Sequence, residues 1–167
     1  ASDVYKRHAV PSDRVIEKGD FVLMDYGAGY CDYRSDMTRT VVMGEPTQEQ
    51  LDLYALVRRT HEECVAAIHP GVEGNDIFKL SKKIIGDAGY GDYYNHGLGH
   101  GVGIDIHELP NFNRSKNIIE VGSVITMEPG VYLPGVGGVR LEDYGVVTEN
   151  GYEPFTKTPH DLHVIDC

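Results

Sequence analysis

Cysteine is scarce in this chain and does not pair: Cys31, Cys64 and Cys167 are an odd number with no C-x-x-C spacing. That excludes a disulfide framework and a zinc ribbon, and predicts a reducing, cytoplasmic setting. Positive charge is short as well, 15 Lys and Arg against 26 Asp and Glu, for a net charge of −11. A surface of that sign repels phosphate backbones, so no nucleic-acid partner is expected. No apolar run approaches the ~18 residues of a spanning helix, and no basic-then-apolar leader opens the sequence, so no membrane association is expected either. The remaining composition, 41% hydrophobic with 25% charged and 20 Gly in 167 residues, is that of an ordinary globular domain able to bury a core.

Two β-rich runs, Phe21 to Tyr26 and Ser35 to Met43, flank a glycine-containing turn placed around Ala28 and Gly29, which predicts a hairpin. Thr47-Gln48-Glu49-Gln50 is a capping box, and Leu53, Val57, Cys64 and Ile68 recur at helical spacing until Pro70-Gly71. Together they predict a helix over 48–68. A second helix is expected from Asn75 or Asp76 to about Asp87, closed by Gly86, Gly89 and Gly91. The stretch from His96 to Glu108 holds four glycines and is followed by Pro110, so it should alternate between loop and strand. From Ser123 the pattern is again β, with Val124-Ile125-Thr126-Met127, Val139-Arg140-Leu141 and Val146-Val147 in a meander turned at Pro134-Gly135 and Asn150-Gly151.

The chain contains a long-period repeat. Gly19-Asp20-Phe21-Val22-Leu23-Met24-Asp25-Tyr26-Gly27 has the pattern of Gly122-Ser123-Val124-Ile125-Thr126-Met127-Glu128-Pro129-Gly130. Each copy is followed by a second acid ahead of a valine pair, Asp36 before Val41-Val42 and Glu142 before Val146-Val147. Two related hairpins, each with two carboxylates, are therefore expected across a pseudo-twofold axis with a helix pair between them.

Asp25 and Glu128 end apolar strand runs, where a buried carboxylate must protonate, pair with a base or bind metal. Either alone reads equally well as an edge acid facing water; the repetition favours a shared purpose. Asp36 and Glu142 taken singly read as cross-strand partners of Arg39 and Arg140. Four carboxylates in one cleft, however, need more positive charge than two arginines supply, and a pair of divalent ions is the natural neutraliser. His96 and His100 are four apart, but the glycines at 97, 99, 101 and 103 exclude a zinc-binding helix. On a strand or turn, the two rings and His107 can share one surface, one binding metal while others donate hydrogen bonds. His61, His69, His160 and His163 read as satisfied core or surface residues, and the cysteines as structural. An oxygen-rich donor set with one imidazole favours Mn, with Zn, Fe and Co still open.

These motifs together resemble the pita-bread metallopeptidases, which include methionine aminopeptidase, aminopeptidase P and prolidase. The resemblance runs from His8 to about Val147 and rests on Met24-Asp25-Tyr26-Gly27, Ser35-Asp36-Met37-Thr38-Arg39-Thr40, Gly99-His100-Gly101-Val102-Gly103, Met127-Glu128-Pro129-Gly130 and Val139-Arg140-Leu141-Glu142-Asp143. It implies an α+β pita-bread fold, a curved antiparallel sheet covered by helices. It also implies a dinuclear centre held by Asp25, Asp36, His100, Glu128 and Glu142, with Asp25 and Glu142 bridging. Glu128-Pro129-Gly130-Val131-Tyr132 and the motif from Gly137 to Asp143 are similar to the proline-specific branch. The implied reaction is metal-assisted hydrolysis of an Xaa-Pro bond, in a dipeptide first and a longer peptide second, the latter the aminopeptidase P activity. By the same resemblance Glu128 shuttles a proton, His96 and His107 contact the substrate and the tetrahedral intermediate, and His8 and Arg140 bind substrate.

Family members carry further sequence ahead of the position of His8, so the resemblance predicts that residues 1–167 are the carboxy-terminal part of a longer, homodimeric prolidase-like protein. Two other readings share the fold, a peptide-gripping module without catalysis and a creatinase-like hydrolase without metal. Both are expected to break the ligand set, which is intact here.

Overall fold

A computed structural model describes residues 13–112 and 116–166; His8 lies outside the described residues. Strand β1 (Phe21–Tyr26) pairs antiparallel with β4 (Met37–Met43), Asp25 facing Thr38 across the ladder. The connection between them is itself a small hairpin, β2 (Gly29–Tyr30) with β3 (Tyr33–Arg34). The chain reverses at Cys31-Asp32 rather than around Ala28 and Gly29, as the spacing had predicted. Both turn residues take positive φ, 48° and 69°, the backbone that matches the twist of a two-residue hairpin. Gly27 serves close approach instead, since a Cβ there would lie 1.9 Å from the Ser35 carbonyl oxygen.

Helix α1 (Gln48–Ala66) starts at the expected capping box, with the Thr47 hydroxyl accepting from the Gln50 amide and the Gln50 side chain accepting from the Thr47 amide. It ends two residues before the predicted limit. Helix α2 (Gly74–Asp87) begins one or two residues ahead of its predicted start at Asn75 or Asp76 and is followed by Gly89 at φ +87°. The buried face of α1 contributes Leu53, Tyr54 and Val57 to a core with Ile85, Val131 and Leu141. Further along, its Cys64 joins Ile77, Phe112, Ile125 and Met127 in a second core. The helices thus cover the sheet through two apolar seams. Burial pushes the Cys64 thiol up to about 12, in keeping with a packing role.

The second half supplies β5 (His100–Gly101), β6 (Glu108–Asn111), β7 (Val124–Met127), β8 (Gly130–Leu133), β9 (Gly137–Arg140), β10 (Asp143–Thr148), β11 (Gly151–Pro154) and β12 (His163–Ile165). One sheet has the order β11-β10-β7-β5-β6 and another β1-β4-β12. The turn at Pro134-Gly135 falls where the sequence places it, while the other sits one residue earlier than predicted, at Glu149-Asn150, with Gly151 already paired to Thr148. Strand β12 had no sequence signal; it runs parallel to β4, three residues long. The two acid-bearing hairpins, β1 with β4 and β7 with β10, meet at Thr38 and Glu142. Their backbones exchange two hydrogen bonds of 3.3 and 3.0 Å. This junction brings the ends of both hairpins into one cleft.

Candidate metal centre

Each of the five predicted ligands occupies a strand end. Asp25 lies near the end of β1, Asp36 directly precedes β4, His100 opens β5, Glu128 directly follows β7 and Glu142 directly precedes β10. All five line a single cavity of about 380 Å³. His100 Nε2 lies 3.7 Å from Asp36 Oδ2 and 3.6 Å from Glu128 Oε1. Donor atoms of Asp36, His100 and Glu142 all fall within 4.8 Å of one another. His100 Nδ1 donates to the Gly101 carbonyl at 3.0 Å, which fixes the tautomer that offers Nε2 to the acids.

Glu142 is 2% exposed. Its Oε2 accepts from the Thr38 hydroxyl at 2.6 Å, while Oε1 is buried with no hydrogen-bond partner among the described residues. Burial, and next the carboxylates of Glu128 and Asp36, push its pKa well above the usual carboxylate range. A divalent ion would reverse all three penalties, so the oxygen-rich donor set with one imidazole fits such ions.

The arginines divide the work differently from the simplest cross-strand reading. Arg39 turns away from Asp36, donating from Nη2 to Asp143 at 2.7 Å and from Nη1 to the Glu142 carbonyl at 2.7 Å. Arg140 faces the cavity, where Nη2 pairs with Asp25, Nε donates to the Thr38 hydroxyl at 3.1 Å and Nη1 donates to the Tyr132 hydroxyl at 2.9 Å. Its hydrogen bonds hold a ligand in place. Tyr132 continues the chain to His96 Nε2 at 3.2 Å, whose Nδ1 donates to the Gly97 carbonyl at 2.7 Å. His96, half-buried, connects to Asp25 through Tyr132 and Arg140. His107 is exposed and lines the cavity, its ring centroid 4.3 Å from that of His100. Thr38 and Tyr132 are the site residues that sequence reasoning passed over. Both sit inside quoted motifs, but no local pattern signals that the Thr38 hydroxyl meets Glu142 or that the Tyr132 hydroxyl meets Arg140 and His96.

Gly99 shows how tightly β5 is fitted, because a Cβ there would lie 2.2 Å from the Thr126 carbonyl oxygen. Gly99→Ala is expected to destabilise the chain by about 1–3 kcal/mol through forced displacement of β5. It should also displace His100, weakening metal binding. A denaturant midpoint and a Mn2+ titration on the same variant check both effects.

Residues 3–149 match metallopeptidase family M24. The chain belongs to that family. It is 45% identical to a protein named Xaa-Pro dipeptidase from Pyrococcus furiosus, over 93% of this chain and 45% of the relative. The crystal structure of a prolidase from Pyrococcus horikoshii superposes with a TM-score of 0.91 at 42% identity, covering 95% of this chain and 46% of that one. An X-Pro aminopeptidase from Thermotoga maritima superposes with the same TM-score at 36% identity, covering 95% and 46%. The M24 chain described here thus spans about half the length of the relatives it matches, and its architecture is the expected pita-bread fold. Among the described residues, no helix is long and apolar enough to cross a membrane.

Proposed function

We propose that this chain carries the active site of a cytoplasmic Xaa-Pro dipeptidase that cleaves a proline-containing dipeptide or short peptide and works, in its full-length form, as a homodimer. The observation that carries the reading is the convergence of Asp25, Asp36, His100, Glu128 and Glu142, from two repeated hairpins, on one cavity. These five would hold two divalent ions, Mn first, with Co, Zn or Fe also accepted by such donors. When bound, the ions supply Lewis acidity, lowering the pKa of a water and polarising the scissile carbonyl. Glu128 holds the proton between the attacking water and the leaving nitrogen, a role typically contributing about 10²–10⁴-fold. His107, exposed at the cavity, donates toward the developing charge on the substrate. Arg140 fixes Asp25 and leaves its positive charge beside the substrate carboxylate position, while His96 orients Tyr132 on the other side of that arginine. His8 is assigned to substrate contact.

Aminopeptidase P activity is the second reading, favoured by the equal superposition of the Thermotoga maritima aminopeptidase. Against it stands the compact connection from Leu133 to Gly137, which is similar to that of short microbial prolidases, whereas some aminopeptidases P carry an insertion there. The experiment is hydrolysis of Xaa-Pro dipeptides and of tripeptides with proline second, after metal removal and Mn2+ reloading, beside Glu128→Gln. Dipeptide cleavage that falls at least about 100-fold in the variant is expected. Faster cleavage of the tripeptide would replace the dipeptidase reading, and metal-dependent peptide binding without hydrolysis would replace both.

A further inference from the structure

A second cluster of metal-binding side chains lies outside the cleft. His61 comes from α1, Asp143 opens β10 and His160 precedes β12. His160 Nε2 is 2.7 Å from Asp143 Oδ2, His61 Nε2 is 3.6 Å from the same oxygen, and donor atoms of all three lie within 4.8 Å of one another. The sequence predicts a satisfied His61, and the structure corrects that. The residue is 2% exposed, and both of its ring nitrogens are buried with no hydrogen-bond partner among the described residues. An imidazole so placed loses its hydration and gains no hydrogen bond in return, which is unfavourable unless something occupies the space in front of it.

We propose that His61 Nε2, Asp143 Oδ2 and His160 Nε2 form a separate mononuclear site for a zinc-type divalent ion, closed by one water. Bonds of about 2.0–2.2 Å around a tetrahedral ion set neighbouring donor atoms about 3.3–3.6 Å apart. The spacing from His61 to Asp143 is close to that already, and His160 needs only to draw back from hydrogen-bond distance. Two imidazoles and one carboxylate make a softer donor set than the carboxylate-rich cleft, which selects zinc over harder ions. Arg39 Nη2 occupies Asp143 Oδ1 at 2.7 Å, orienting the carboxylate and leaving Oδ2 for the ion, the usual arrangement of an outer partner behind a metal ligand. Burial holds the His61 pKa down to about 4, so its lone pair is available at neutral pH. His160 is a quarter exposed, which gives an ion and its water a path in. Occupancy would tie α1, β10 and the segment ahead of β12 together at one point.

The test is a Zn2+ titration, by calorimetry and by metal analysis after dialysis, of metal-stripped Asp36→Ala chain, in which the cleft is impaired. One retained equivalent is expected, weakened at least tenfold by adding His160→Ala, whose side chain sits at the partly open end. Zn2+ should raise the melting temperature of the Asp36→Ala chain and not of the double variant. Equal Zn2+ binding with and without His160, or none in either, overturns the site. Peptide hydrolysis enters neither readout, so the result stands apart from the reading of the cleft.

Discussion

Glu142→Gln is expected to weaken Mn2+ binding in the cleft by at least about 100-fold, beyond the 10–100-fold that follows loss of an outer partner behind a ligand. The same change should stabilise the metal-free chain. Glutamine keeps the shape and the bond to the Thr38 hydroxyl but removes a charge held in a buried position beside Glu128 and Asp36. The sign of the pH dependence follows from that placement. With a folded-state pKa raised above its unfolded value near 4.5, Glu142 contributes stability that is present below about pH 4.5 and lost as pH rises through the folded value. The variant's advantage in melting temperature should therefore be largest at neutral pH or above and shrink toward pH 4.5. Saturating metal should reverse the order of the two proteins. Two ions bound with unchanged affinity in the variant would remove Glu142 from the ligand set.

The largest stability effect is expected at Arg39, outside the cleft. Its guanidinium and the Asp143 carboxylate are both nearly fully buried, and it also donates to the carbonyls of Thr38, Glu142, Thr158 and Pro159. Arg39→Met takes from the buried Asp143 charge its arginine partner and leaves several carbonyls without donors, so a loss of about 3–5 kcal/mol is expected. Burial works against the Asp143 charge, but hydrogen bonds from His160 and Arg39 outweigh it and hold its pKa below the usual value. A depressed carboxylate contributes stability above its unfolded pKa and loses it as pH falls through the folded one. In the wild type that contribution therefore disappears only in strong acid, and in Arg39→Met it is reduced already at neutral pH. Denaturant midpoints for Arg39→Met, Asp143→Leu and the double variant measure the pair. Recovery of much of the loss in the double variant is expected, because it removes the uncompensated charge. Strictly additive losses would mean that the carbonyl contacts, not the ion pair, carry the effect.

The two hairpins and two helices were legible because their signals are local. A capping box, a Pro-Gly stop and alternating runs each act within a few residues, and the structure keeps them to within a residue or two at α1 and α2. The repeat made the carboxylates legible too, since one pattern occurring twice places Asp25 and Glu128, then Asp36 and Glu142, at corresponding strand ends. The turn at Cys31-Asp32 escaped because Cys31 gives no sign of positive φ and Asp32 alone, without a following glycine, is a weak one. Strand β12 escaped because three residues carry no periodicity, and its partner β4 lies more than a hundred residues earlier.

The amino-acid order alone therefore determined the two helices, the main strands of the two hairpins and the acids at their ends. Only the tertiary structure decided what those side chains meet. The pairing of Thr38 with Glu142 sets which acids share a cavity, sends Arg39 to Asp143 and Arg140 to Asp25, and leaves His61 facing Asp143 with no hydrogen bond. The physical reason is that hydrogen-bond register between segments a hundred residues apart is fixed by the packing of the whole sheet, and a shift of one residue would turn each of these side chains to the other face.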